Sequence, residues 1–233
     1  MECIYLPKLE KESERIEILL EEARHLKALR LKPYEQILAT NGRGLTATIS
    51  VENIGNKVFA TEIQNFQYNL GEISSKFGLA LGVLHDRARL EFALEKSVEL
   101  GITDFYLLNT RFVQKKNYSY ERLEAKAIAA MKQAKRSVLP KIHQLKEFNL
   151  INGILEQYDK IILMDETGKK MNELERNMAE KKIILVGPEG GFSTEEIDSL
   201  LEKHKTKIEK ITLGSRRLRA ETAAIVSVGL FSF

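Results

Sequence analysis

Between residues 183 and 224 the chain twice follows one order: a short apolar run, a loop of unusual composition, then a helix-like segment. The runs are 183–186 and 211–213. The loops are Gly187-Pro188-Glu189-Gly190-Gly191-Phe192-Ser193 and Leu213-Gly214-Ser215-Arg216-Arg217-Leu218-Arg219-Ala220-Glu221-Thr222-Ala223. Apolar runs this short, bounded by turn residues, read as buried strands. Both loops then lie at the carboxyl ends of strands, where open α/β sheets take up ligands.

The first loop has three glycines in five residues. Glycine accepts positive φ and lets a ligand come close to the backbone. Ser193-Thr194-Glu195-Glu196 reads as a capping box, with serine at the N-cap and glutamate three positions on. A tight strand-to-helix turn would use the same glycines. The G-x-G-x-x-G spacing of dinucleotide folds is absent, and no Lys-Ser or Lys-Thr follows as in a P-loop. The second loop places Arg216, Arg217 and Arg219 just before a helix start. Basic charge is unfavourable there, because the helix dipole prefers anions. Glu221 meets that preference and the arginines do not, so they point to an anion or RNA.

Elsewhere, strand-like runs at 77–84, 105–108, 161–164 and 208–213 alternate with helical patterns. Asp86 is placed to cap one helix and Gly101 to end it, with Leu90, Ala93, Leu94 and Val98 on one face. Another helix falls within 120–137, with Leu123, Ala127, Ala130, Met131 and Ala134 inward, and Pro140 closes it. The last helix covers 221–231. Such alternation predicts a mostly parallel sheet flanked by helices. Residues 1–70 form a separate, mainly β unit: a helix at 21–31, then strands at 36–39, 45–51 and 57–63 joined by Asn41-Gly42 and Asn53-Ile54-Gly55. The polar stretch 65–76 reads as the linker to a second domain at 76–233.

The net charge of +3 permits a local nucleic-acid patch without requiring one. One cysteine, Cys3, excludes an internal disulfide and fits a reducing compartment. Four scattered histidines give no metal-ligand spacing, so no metal is expected. No signal-like core and no apolar run of about eighteen residues is present, which predicts a cytoplasmic protein without a membrane role.

GPEGGFS followed by glutamate, together with LG-x-R-x-LR-x-ETA, resembles the signature of the bacterial 16S ribosomal RNA uridine-N3 methyltransferases, of the knotted SPOUT class. Residues 89–101 resemble the family's K-x-E-x-x-x-x-K-x-x-E-x-G helix, with Arg89 where lysine is usual. Residues 129–140 resemble its A-x-x-Q-x-x-R-x-x-x-P segment, with Lys132 where glutamate is common. In the last motif Arg217 replaces an aliphatic residue and Ala220 a threonine. His25 to Arg30 and Asn41-Gly42-x-Gly44 resemble N-terminal motifs of the same family.

The resemblance implies a trefoil-knotted parallel sheet behind a PUA-like β-barrel, a homodimer, and transfer from S-adenosylmethionine to N3 of one uridine in small-subunit RNA, with no DNA partner. It places the donor against Gly187, Pro188, Glu189, Gly190, Gly191, Leu213, Gly214, Leu218, Arg219 and Thr222. Arg219 would stabilise the uridine anion or a phosphate; Glu221 would orient Arg219 or take the N3 proton, with Glu189 as rival base. His25, Arg30, Lys96, Gln133, Arg136 and Arg216 are the RNA-contact candidates. Each has a structural alternative: a packed histidine, a surface arginine, an exposed Lys96–Glu99 pair. Two other functions stay open: another knotted RNA methyltransferase acting on a different base or a ribose hydroxyl, and a non-catalytic ribosome assembly factor.

Overall fold

The computed structural model describes residues 2–29, 35–114, 118–170 and 181–232. It contains two compact units, Met1–Glu72 with Ile128–Leu139, and Ile73–Ala127 with Pro140–Phe233.

In the first unit the strands are β1 (Cys3–Tyr5), β2 (Ile16–Glu17), β3 (Ile37–Thr40), β4 (Leu45–Ile54) and β5 (Lys57–Tyr68), with helix α1 at Leu20–Leu29. They form one sheet in the order β1-β3-β4-β5-β2, antiparallel except for β1 with β3. Ala47 and Ile49 of β4 join Ile4, Leu9 and Ile37 in its apolar core. Strand β5 runs past 63, so residues 65–68 are strand and not linker. Glu62 and Asn65 take positive φ (48° and 54°), and the β4 pairing shifts register twice beside them. Bulges of this kind absorb extra residues while the ladder continues.

The segment 128–139 completes this unit. Gly42 and Gly44 turn with φ of 71° and 103°. Gly42 O accepts from Leu139 N–H at 2.9 Å, and Gly44 N–H donates to Ser137 O at 2.9 Å. Buried Arg136 donates from Nη2 to Glu72 Oε2 at 2.6 Å, while Glu72 Oε1 accepts from the N–H groups of Ser137 (2.9 Å) and Val138 (2.8 Å). One carboxylate therefore ties together a guanidinium and two backbone amides.

The second unit contains β6 (Phe77–Gly82), α2 (Arg87–Glu99), β7 (Asp104–Asn109), the first part of α3 (Tyr120–Gln133), β8 (Lys141–Glu147), α4 (Asn152–Leu155), β9 (Lys160–Lys170), β10 (Lys182–Val186), α5 (Thr194–Lys203), β11 (Ile208–Thr212) and α6 (Ala220–Ser232). Its six-stranded sheet has the order β11-β9-β10-β6-β7-β8, parallel throughout. Ile161, Leu163, Ile183 and Leu185 pack with Leu155, Tyr158 and Leu200. Side chains alternate along a strand, so the intervening residues face the other way; α6 packs against β10, β6 and α2. The fold is thus α/β, a parallel sheet between helices. Asp86 caps α2, accepting from Ala88 N–H at 2.8 Å, and Gly101, at φ 101°, follows its C-cap. Strand β8 lies outside the sequence expectation; it is an edge strand with mixed burial.

Candidate active site

Strands β10 and β6 are neighbours, yet the chain leaves β10 toward β11 on one side and leaves β6 toward β7 on the other. The loops diverge there and open a crevice at the carboxyl ends, the usual ligand position in an open α/β sheet. A cavity of about 760 Å³ lies at this edge, lined by the loops after β10 and β11, by residues 164–167 and by Arg89. Its size suits a nucleoside-sized ligand.

Glycine shapes the first loop through close packing. A Cβ on Gly187 would lie 2.6 Å from the carbonyl carbon of Gly191, and one on Gly190 would lie 2.7 Å from Phe112 Cβ. Gly191 N–H donates to Pro188 O at 2.9 Å, closing a tight turn, and Gly191 has φ of 73°. The loop abuts β6: a Cβ on Gly82 would lie 2.4 Å from Pro188 Cδ. Glu189 Oε1 accepts from His85 N–H at 3.0 Å, which staples the two diverging loops. Both halves of the Ser193–Glu196 capping box are present. In the second loop the Thr212 hydroxyl bonds the backbone of Gly214, whose φ is 109°.

All the residues expected around the donor line this cavity except Thr222, which is exposed. Arg216, Arg217 and Arg219 line it as well, and all three are exposed. Glu221 is buried in the first turn of α6 and faces Arg89, Nε to Oε1 3.7 Å. Arg89 also lies 3.6 Å from Asp86 Oδ2. The guanidinium beside Glu221 is therefore Arg89; among the described residues Arg219 has no ion-pair partner.

Sequence reasoning missed the third wall. Pairing of β11 with β9 jumps from Lys210↔Leu163 to Ile211↔Lys169, so residues 164–168 leave the ladder. Asp165 Oδ1 accepts from Thr167 N–H at 2.8 Å and lies 3.2 Å from Lys210 Nζ. Burial pushes the Asp165 carboxyl up, but the Thr167 hydrogen bonds and the Lys210 ammonium outweigh it, and its pKa falls below the ordinary value. Gly168 marks the exit: a Cβ there would lie 2.5 Å from Ile211 N.

The RNA-contact candidates separate. His25 is exposed on α1, which rules out the packed histidine, and Gln133 is exposed at the end of α3. Arg30 lies outside the described residues. Lys96 is held between Glu99 (2.8 Å) and Glu95 (3.0 Å), and these partners raise its pKa. Arg136 has 2% of its surface exposed and pairs with Glu72, an arrangement that favours a structural role over an RNA contact. Lys132, which stands where glutamate is common in the family, pairs with Glu22 at 2.6 Å.

The model of the RNA methyltransferase domain family matches residues 72–232. A ribosomal RNA small subunit methyltransferase E of Buchnera aphidicola is 30% identical over 90% of this chain and 85% of its own length. The chain belongs to this family of RNA methyltransferases. The enzyme of the same name from Rickettsia conorii is 29% identical over 97% of this chain and 92% of its own. Among solved structures, a Legionella pneumophila protein in complex with the bound cofactor SAM superposes with TM-score 0.83 at 27% identity, covering 98% of this chain and 96% of that one. Membership accounts for the conjunction of glycine and arginine loops at one edge of the sheet. No helix among the described residues is long and apolar enough to cross a membrane, and no group of three metal-ligating side chains occurs among them.

Proposed function

We propose that this chain transfers a methyl group from S-adenosylmethionine to small-subunit ribosomal RNA, at N3 of one uridine, as a cytoplasmic homodimer with a knotted methyltransferase domain. The observation that carries the reading is the cavity at the switch point, walled by glycine backbone on one loop and by arginines on the next. The names of the relatives support the RNA substrate, and the Legionella complex supports the donor. Three glycines of the first loop, Gly187, Gly190 and Gly191, line the cavity, and a glycine wall suits a ligand held by backbone groups.

Bound there, the donor supplies an electrophilic methyl carbon. The protein's own work is to align the acceptor and to manage the N3 proton. Loss of that proton leaves negative charge on the uracil ring, and Arg219, which lines the cavity and has no ion-pair partner among the described residues, stabilises it. Glu189 takes the proton. It lines the cavity and is exposed, and its Oε1 is anchored by His85 N–H. Glu221 holds Arg89 toward the same space. His25, Gln133 and Arg216, all exposed, remain as RNA contacts, and the target base must leave its stack to be reached. For the dimer, Phe92 of α2 and Val226 of α6 leave apolar surface exposed on two helices that pack together. Leu218 lines the cavity and Val228 is core.

Transfer of labelled methyl groups to small subunits and to free ribosomal RNA, both lacking the modification, tests the reading. Label at N3 of a single uridine supports it. Label at another atom keeps the methyltransferase and discards the site. No label and no donor binding leaves an assembly factor.

A further inference from the structure

The turn after β7 has no part in donor binding as proposed, yet it is built against the cavity. Val113 N–H donates to Thr110 O at 3.1 Å, which makes Arg111 and Phe112 the central residues of a β-turn. Arg111 N–H donates to Glu196 Oε1 at 2.9 Å, and Glu196 Oε2 accepts from Ser193 N–H at 2.8 Å. The turn is thereby fixed to the start of α5. Phe112 keeps 43% of its surface exposed. Its Cβ sits where a side chain on Gly190 would have to go, and Gly190 lines the cavity. The neighbouring Arg111 is exposed too, and its charge helps hold the Glu195 carboxyl below its ordinary pKa, after the backbone and Ser193 hydrogen bonds there.

A ring left in water on an anchored turn, with a guanidinium beside it, is how proteins take up single-stranded RNA: bases stack on the ring and cations meet the phosphates. The reading of the cavity as a methyl-transfer site is assumed here. We propose that Phe112 is a stacking platform for an unstacked RNA base beside the methylated one, with Arg111 on the adjoining phosphate. A solvated loop would need neither the anchor at Glu196 nor a glycine cut to accommodate the ring.

The test compares Phe112→Ala, Phe112→Leu and Phe112→Trp in the full chain. Methyl transfer to whichever ribosomal substrate the unaltered protein modifies is measured, along with donor affinity by calorimetry. Phe112→Ala is expected to raise KM for RNA roughly tenfold, with donor affinity and Tm unchanged. Phe112→Leu should be as poor as alanine, because it keeps apolar bulk without a π face, and Phe112→Trp should restore KM. An alanine or leucine variant with unaltered KM overturns the proposal; so does a loss of donor affinity equal to the loss in RNA affinity, which would make the ring a buttress for Gly190. A second measurement needs no turnover: a single-stranded RNA oligonucleotide carrying 2-aminopurine should be quenched by the protein and not by Phe112→Ala. Quenching by a protein that transfers no methyl group keeps the platform and sinks the methyltransferase reading. Equal quenching by both proteins sinks the platform.

Discussion

Replacing Gly82 by alanine tests whether the cavity depends on the contact between β6 and the first loop. The new Cβ would stand 2.4 Å from Pro188 Cδ and 2.5 Å from Pro188 N. Both atoms belong to a ring fixed to the backbone, so no rotamer change relieves the clash. Reaching ordinary contact near 3.4 Å requires a shift of 3.4 − 2.4 = 1.0 Å by the loop or the strand. Strand β6 is hydrogen-bonded on both sides, to β10 and β7, so the loop moves. Overpacking of this kind costs about 1–3 kcal/mol, and a displacement of about 1 Å near reacting groups lowers turnover on the order of 100-fold. Gly82→Ala should weaken donor binding about tenfold or more in calorimetry, with a modest fall in Tm. Gly229→Ala is the control. It lies within α6, where a Cβ would meet Leu100 Cδ1 at an ordinary 3.7 Å. It should leave donor binding alone and add roughly 0.8–1 kcal/mol from helix propensity. Wild-type donor affinity in Gly82→Ala would refute the idea that this contact shapes the cavity.

Other perturbations probe the frame around the site. Arg136→Gln leaves the Glu72 carboxylate buried without its cation and should cost about 3–5 kcal/mol in urea unfolding; a cost below about 1 kcal/mol would return Arg136 to the surface. Ser193→Ala removes the side-chain acceptor for Glu196 N–H and should cost about 1 kcal/mol of stability; no change in unfolding midpoint would leave the capping box without energetic weight. Asp104 gives a pH signature. Burial pushes its carboxyl up, but hydrogen bonds from His143 and Thr103 and the charge of Lys76 outweigh this, so its folded pKa lies below the ordinary 3.8. Such a group stabilises the fold fully above its unfolded value, and that contribution is lost as pH falls through the lower folded value. Asp104→Asn should therefore be less stable than the parent near neutrality, and the gap should close as pH drops below about 4. A gap that stays constant down to pH 2 would mean the charge contributes nothing.

The parallel strands were legible because they are buried on both faces and read as unbroken apolar runs, as at 161–164 and 183–186. Strand β8 was not. Its sequence, KIHQLKE, is that of an edge strand with one partner, and Pro140 signals only that a helix has ended. The extension of β5 into the apparent linker was hidden by the bulges at Glu62 and Asn65, which break the period of two. Nothing local reports that the chain crosses from β8 at one edge to β9 beyond β10. The switch point is a property of strand order, so sequence could place the loops at strand ends without saying which ends meet.

The site divides in the same way. Gly187–Gly191 is legible as glycine that a tight turn or a close ligand would use, and Arg216–Arg219 as basic charge out of place at a helix start; both segments line the cavity. The excursion at 164–168 looks like plain strand ending in polar residues, and its signal was Gly168, a glycine inside a strand pattern that marks a close backbone approach. Motif resemblance puts Arg136 among the RNA contacts, and an arginine that must meet a buried carboxylate has the same sequence signature as one that must meet a phosphate. What distinguishes them is Glu72, 64 residues upstream. Glu221, buried beside the cavity, and Arg89, which lines it, make the same point. The resemblance has the carboxylate orient the arginine two positions before it or take the N3 proton, and the fold sets it beside an arginine on another helix. Among the described residues Arg219 then has no ion-pair partner, and the proposed role sets it on the substrate. Arg219→Ala should accordingly spare stability while reducing turnover, and Glu221→Gln should act through Arg89. If those two acceptor-side losses are additive in a double-mutant cycle with Arg219, the guanidiniums work independently. Strong coupling between Glu221 and Arg219 would restore the assignment read from the sequence.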